Sequence, residues 1–254
     1  TIYIITLLFF AIFFFYNTLN FKLDASSDTL ILQNDKDFKY FKYYNEIFPN
    51  KNFLVLAVKS KKQIDQEFIN SINNIKNTLS KIKNIESIFT IADAPILIAS
   101  NLKLNDLNTK TIPTLKNTQI ELSQILDEFS KSPIFKNQII SESKKVSALI
   151  IYPRIDKKFD NLKKQKNLLN LQHSSNTYKD NEIKKSYRLS KEEFNKNRHK
   201  LINEIRSKVK KENLSYEYFL GGIDMIADDT ISYVKKDIIL FGIFVSLFLI
   251  IILF

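Results

Sequence analysis

Three aspartates near the end of the sequence have the spacing best suited to chemistry. Asp224, Asp228 and Asp229 place three carboxylates within six residues, and oxygen ligands of this kind can chelate a hard cation. The alternative is a helix start. Asp224 follows Gly221 and Gly222 at a position suited to an N-cap, and Asp228 and Asp229 lie near the positive end of the helix dipole. The helix start is favoured, so no metal site is predicted.

The remaining ionisable candidates stand alone. His173 and His199 have no second ligand at useful spacing, so both are predicted to be solvated surface residues. Asp237 directly precedes an apolar run and is predicted to mark a membrane interface, with gating or proton movement as the alternative. The sequence has no cysteine, only three glycines, no phosphate-binding loop and no nucleophile elbow. It therefore predicts no catalytic residue, no cofactor and no enzymatic activity.

The charged residues are confined to the middle of the sequence. All 38 Lys and Arg and all 27 Asp and Glu lie between Lys22 and Asp237. A helix that crosses a bilayer core needs about 20 apolar residues. We therefore predict transmembrane helices over residues 1–21 and 238–254, each truncated by the limits of the sequence. Between them we predict a polar domain over residues 22–222 and a helical lead-in over residues 223–237.

Each apolar end has an alternative interpretation. The first could be a secretory signal, but signal cores usually span about 7–15 residues before a small-residue cleavage site, and residues 17–23 show no such site. The second could be a buried core helix. Its only polar side chain is Ser246, so it has no amphipathic face to offer water. Membrane helices are favoured at both ends.

The net charge of +11 raises nucleic acid as a possible partner. The excess is almost entirely Lys, however, and the aromatic residues lie in apolar runs instead of between basic residues on one face. The sequence therefore predicts no nucleic-acid partner.

Hydrophobic periodicity predicts the elements of the middle domain. Spacings of three and four residues predict helices near residues 35–48, 64–82, 115–129, 194–209 and 223–234. Short apolar runs predict strands at residues 53–58, 85–91, 146–152 and 214–220, and the polar residues 157–190 are predicted to form a partly helical connection. The predicted fold class is α+β: a ferredoxin-like, split βαβ domain with a helical insertion, flanked by two transmembrane helices.

Several segments resemble one transporter family in their order along the chain. The clearest is YFLGGIDMIADDTISYVKKDIILFG, and ASSDTLILQNDKDFKYFKYYNEIF, IESIFTIADAPIL, SPIF followed by VSALII, and INEIRSKV agree with it. Together they resemble the first porter domain of the resistance-nodulation-division (RND) superfamily, in the branch of predicted exporters with MmpL-type and Patched-like proteins. The family commonly has a proline where this sequence has Asp224.

The resemblance implies an exporter of two similar halves in the bacterial inner membrane, each with a large extracytoplasmic domain between its first two helices. It implies lipid or other hydrophobic substrates moved by the proton gradient. Partners would be the lipid bilayer, the substrate and either further copies of the chain or an accessory periplasmic protein. The proton-relay carboxylates of the family lie on helices outside this sequence, so no coupling residue is assigned.

The same layout allows a second class of protein. A membrane receptor also places a sensor domain outside the membrane between two spans, and hydropathy does not separate the two classes. A subunit that anchors a division or export complex is a third interpretation. A domain of this length translocates largely regardless of its charge, so the positive-inside rule does not fix its side.

Overall fold

The structure of the 254-residue chain is a computed structural model. It describes residues 35–48, 51–100, 112–171, 178–212 and 215–253, together with Thr6, Phe9, Phe13 and Tyr16. The chain divides into two compact units, which are described separately. The central unit is Asn50–Asp228, and the terminal unit combines Thr1–Pro49 with Asp229–Phe254.

The order of elements follows the predicted alternation of strands and helices. The helices with described bounds are α1 Lys36–Ile47, α2 Gln66–Ser80, α3 Leu122–Lys131, α4 Lys157–Leu171, α5 Tyr178–Lys210 and α6 Ile223–Leu253. The strands are β1 Leu54–Lys59, β2 Ile85–Phe89, β3 Val146–Pro153 and β4 Glu217–Gly221, and a short 3-10 helix covers Ile91–Asp93.

The strands of the central unit form one four-stranded sheet in the order β2-β3-β1-β4. Strand β3 lies between β1 and β2 and is antiparallel to both, so β1 and β2 run parallel. Strand β1 in turn lies between β3 and β4 and is antiparallel to both. This is a split βαβ order. The α+β class and the antiparallel sheet are confirmed.

The core lies on one face of this sheet. Leu54, Leu56 and Val58 alternate along β1, and each is at most 1% exposed, because alternate residues of a strand point to the same face. Helices α2 and α5 supply further members of the same buried cluster: Phe68, Ile69, Ile72, Ile75, Leu79, Leu201, Ile202, Ile205 and Val209. Complete burial of one such side chain contributes about 1.5–3 kcal/mol.

Helix α2 shows why the periodicity was informative. Asp65 precedes the helix, and its carboxylate accepts a hydrogen bond from the backbone N–H of Phe68 at 2.9 Å, which satisfies a donor of the first turn. The predicted range of 64–82 included Ile64 and Ile82, which are buried just outside the helix. Periodicity therefore located the buried face correctly and overestimated the length.

The insertion between β2 and β3 is held together by two carboxylates, of which Glu128 in α3 is the first. Its Oε1 accepts hydrogen bonds from the backbone N–H groups of Leu97 and Ile98 at 2.8 and 3.1 Å. Its Oε2 accepts from the N–H of Ala99 at 2.8 Å. Bonds to an ionised acceptor are stronger than neutral ones, so Glu128 fixes this loop against α3.

Asp93 is the second carboxylate, and it joins the start of the insertion to α2. It accepts hydrogen bonds from Lys76 Nζ at 2.6 Å, from Lys116 Nζ at 2.6 Å and from the backbone N–H of Thr90 at 2.9 Å. Burial raises the pKa of Asp93, but the hydrogen bonds from Lys116, Lys76 and Thr90 outweigh it and hold that pKa below its ordinary value. Asp93 therefore stays ionised at neutral pH and keeps its hydrogen bonds to Lys76 and Lys116.

Two predicted boundaries were wrong because polar side chains bind the backbone. Strand β2 ends at Phe89 instead of Ile91, since Thr90 and Asp93 form a capping box that starts the 3-10 helix. Helix α3 begins at Leu122 instead of Leu115. Upstream of it, Asn117 Oδ1 accepts from the N–H of Thr114 at 2.7 Å, and such local bonds compete with a helix.

The polar residues 157–190 are more regular than predicted. The described residues of this range form α4 and the first part of α5, which pack together through aromatic rings. The Phe159 ring stacks on Phe194 with centroids 4.4 Å apart and on Tyr187 with centroids 5.7 Å apart. The sequence of this region has no continuous apolar stripe that would predict a helix. In the structure, these three rings supply the contact between α4 and α5.

In the terminal unit, α1 agrees with the helix predicted near residues 35–48. Within the described ranges, no helix is both long enough and apolar enough to span a membrane. The predicted span over 1–21 lies outside the described residues except for four of them, and the predicted span over 238–254 coincides with the end of α6. The two flanking spans are not confirmed.

Candidate functional site

A groove of about 480 Å3 lies between β4 and the last turns of α5 in the central unit. It forms there because β4 is a terminal strand of the sheet, with β1 on one side only. Its apolar walls are Leu56, Ile205, Val209, Tyr216, Tyr218, Phe219 and Leu220, and its charged residues are Arg206, Lys210 and Glu212. The groove is therefore an apolar, largely aromatic recess with charges among its lining residues.

The aromatic residues of the groove differ in how firmly they are held. Tyr216 is buried and meets the Phe68 ring edge-on, with centroids 5.1 Å apart. Phe219 is 55% exposed because it alternates with Tyr218 and Leu220 and pairs with Ala57, which places its side chain on the face of the sheet opposite the core. Burial, followed by the nearby Glu212 and Tyr216, raises the pKa of Tyr218. The Tyr218 phenol therefore remains neutral at physiological pH, and the recess suits a hydrophobic molecule.

A separate polar cluster joins α5 to the start of α6. The Arg198 guanidinium lies 3.4 Å from Asp224 Oδ1, and both side chains are largely buried. His199 Nδ1 lies 2.9 Å from Asp228 Oδ2. Because a carboxylate only accepts, His199 Nδ1 is the donor, and Nε2 then accepts from the Asn203 amide at 2.9 Å. Both imidazole nitrogens are engaged, so the cluster positions α6 against α5.

The structure separates the three aspartates that the sequence groups together. Asp224 lies in the first turn of α6 instead of at its N-cap, and it faces Arg198. Asp228 is buried against His199, while Asp229 follows it in the helix and Asp237 is exposed. Among the described residues, no three His, Cys, Asp or Glu side chains converge as a metal site.

The prediction for His199 was incomplete, and His173 lies outside the described residues. The His199 side chain is half exposed, as a surface residue would be, but it is bonded to Asp228 and Asn203. His199 and Asp228 are separated by 29 residues in the sequence. One feature of the sequence pointed to such a contact. Asp224 and Asp228 are four residues apart, which places both on one side of α6.

The chain matches no protein-family model, no curated protein and no solved structure. The function proposed for it therefore depends on the groove, on the exposed surface of α6 and on the ordered resemblance of the sequence to RND transporters.

Proposed function

We propose that this chain belongs to a membrane transporter and that its central unit binds a hydrophobic or lipid-like substrate in the groove beside β4. The observation that carries the proposal is the surface of α6. Every apolar side chain from Ile238 to Ile252 is exposed, by between 36% and 74%. A helix that is apolar on all sides is stable only inside a protein core or in lipid.

The groove supports the choice of substrate. Ligand sites are usually concave, mainly apolar and about 300–1,000 Å3 in volume, with a few polar groups that orient the ligand. The groove beside β4 has this size and character. Its aromatic walls would hold an acyl chain or another apolar body, while Arg206, Lys210 and Glu212 would contact a polar end.

The direction of transport and its energy source are inferred from the resemblance of the sequence to RND transporters. We place the central unit on the extracytoplasmic side of a bacterial inner membrane, with export driven by the proton gradient. Further copies of the chain or an accessory periplasmic protein would complete the path.

Membrane insertion of α6 is tested with a single tryptophan, because the chain contains none. We expect Phe244→Trp, placed in phospholipid vesicles, to be quenched strongly by lipids brominated deep in their acyl chains. The matched control is Ile134→Trp, which replaces an exposed apolar residue of the central unit and should not be quenched. Equal quenching at the two positions, or none at either, would contradict insertion of α6.

The groove is tested by photo-crosslinking with a diazirine-labelled fatty acid. We expect the label to map to β4 and the end of α5, and Tyr218→Ser to lower its yield at limiting probe by about tenfold, because the ring lines the groove and supplies roughly 1.5 kcal/mol of apolar burial. The exposed Ile134 provides the control Ile134→Ser, which should leave the yield unchanged. Labelling spread evenly over the chain, or unaffected by Tyr218→Ser, would argue against the groove.

A receptor would use the same groove as a sensor site. The two classes differ in the step after binding, because a transporter moves its ligand and a sensor does not. A proton gradient imposed on vesicles that contain the intact protein, with all of its membrane helices, should therefore change the distribution of the labelled fatty acid between the two leaflets. Binding that is independent of the gradient, without such movement, would favour the sensor.

A further inference from the structure

Helix α1 exposes most of its apolar side chains. Tyr40, Phe41, Tyr43, Tyr44, Ile47 and Phe48, at its end, are each exposed by between 46% and 68%. A short amphipathic helix normally buries this kind of surface against a core. The Tyr44 and Phe48 rings contact each other, with centroids 5.0 Å apart.

The exposed residues share one side of the helix. At about 100° per residue they fall within an arc of roughly 160°. The helical position of Lys42 lies opposite the centre of that arc, and those of Lys39 and Glu46 also fall outside it. The helix begins at an Asp35 cap, where Oδ1 accepts from the N–H of Asp37 at 2.7 Å, and it ends at Phe48, before Pro49. The positions of Lys36 and Asp37, in the first turn, fall inside the arc, so the purely aromatic part of the face begins at Tyr40.

We propose that α1 lies in the headgroup region of a phospholipid bilayer, with its aromatic face toward the acyl chains. This inference rests on the proposed membrane insertion of α6, whose residues from Asp229 onward belong to the same compact unit as α1. Tyrosine is enriched at membrane interfaces because its ring is apolar and its hydroxyl is polar. Interfacial helices combine such a face with basic residues on the other side.

The composition of the face favours lipid over a second copy of the chain. Three of its six residues are tyrosines, whose hydroxyl groups would have to find partners in a dry protein interface, whereas the headgroup region supplies phosphates and water. Lys36, Lys39 and Lys42 are matched in number by the carboxylates of Asp35, Asp37 and Glu46, so the helix with its cap has no net charge. The preference for lipid therefore depends on the tyrosines of the face.

The test places single tryptophans in the full chain in vesicles of phosphatidylcholine, with or without phosphatidylglycerol. Tyr44→Trp should show blue-shifted emission and be quenched severalfold more strongly by lipids brominated near the headgroup than by those brominated deep in the chain. Lys42→Trp, at the opposite helical position of α1, is the matched control and should remain accessible to iodide in water. Because the helix carries as many carboxylates as lysines, phosphatidylglycerol should change the quenching of Tyr44→Trp little.

The variant Phe244→Trp separates failure of this inference from failure of the proposed function. If Phe244→Trp is quenched by deep bromines while Tyr44→Trp stays in water, α6 is inserted and the interfacial position of α1 is wrong. If neither is quenched, both the inference and the membrane proposal fail. Blue-shifted Tyr44→Trp emission that depends on protein concentration and not on lipid would show a protein contact and would overturn the inference.

Discussion

Replacing Gly222 by alanine is expected to lower the free energy of unfolding of the central unit. The strained backbone alone should cost about 1–3 kcal/mol, and the close contacts of the added Cβ should increase that loss. Gly222 connects β4 to α6 with φ of +126°, a conformation that L side chains rarely adopt. An added Cβ would also lie 2.9 Å from the backbone oxygen of Phe53 and 3.2 Å from Leu54. Those atoms belong to the start of β1 and the residue before it, so the clash is relieved only by moving the sheet.

The neighbouring glycine provides the control for this prediction. A Cβ at Gly221 would meet only the Val55 oxygen, at 3.9 Å, which is an ordinary contact. Gly221→Ala is therefore expected to change stability by less than about 0.5 kcal/mol. Urea unfolding in mild detergent, followed by far-UV circular dichroism, measures both variants. Equal stability of the two would show that the connection does not require glycine at 222.

Phe129→Ala is expected to destabilise the central unit by about 3–5 kcal/mol, the usual cost of removing a fully buried ring. Phe129 is completely buried in the insertion, and its ring meets Phe135 edge-on with centroids 5.1 Å apart. The insertion shares one continuous core with the sheet and α2. A cavity at this site should therefore weaken the whole unit and not only the loop around it.

The same segment contains an exposed residue for comparison. Ile134 is 66% exposed, so Ile134→Ala should cost less than about 0.5 kcal/mol. Limited proteolysis distinguishes a local from a global effect, because cleavage confined to the insertion would mean that it unfolds independently. A loss below about 1 kcal/mol for Phe129→Ala would show that the core closes around the missing ring.

The parts of the fold that could be predicted are those whose signal is local. Strands β1 and β3 are short apolar runs, and α2 carries a buried residue at every third or fourth position. Their order along the chain then restricts the sheet to few arrangements. Antiparallel pairing of β1 with both β3 and β4 agrees with that expectation.

The parts that sequence reasoning missed depend on contacts between distant residues. The first half of α5 buries Asp180 and Ser190, which interrupt any apolar stripe. The stacking of Phe159 on Phe194 exists only once α4 and α5 are paired. For the same reason the bond between His199 and Asp228 could not be predicted from two isolated residues.

The groove could not be predicted from the sequence, because its residues are brought together only in the folded chain. Its residues come from three elements, and their sequence signals are those of an ordinary core. Only the position of β4 at the edge of the sheet leaves Tyr218 and Leu220 partly exposed beside the end of α5.

Helix α5 gives the central unit a mechanical property. Ile205 and Val209 line the groove, while Arg198 and His199 on the same helix hold Asp224 and Asp228 at the start of α6. These two sets are about 13 Å apart along the helix axis. Because both sets belong to one helix, a ligand that displaced α5 at the groove would also displace the residues that hold Asp224 and Asp228.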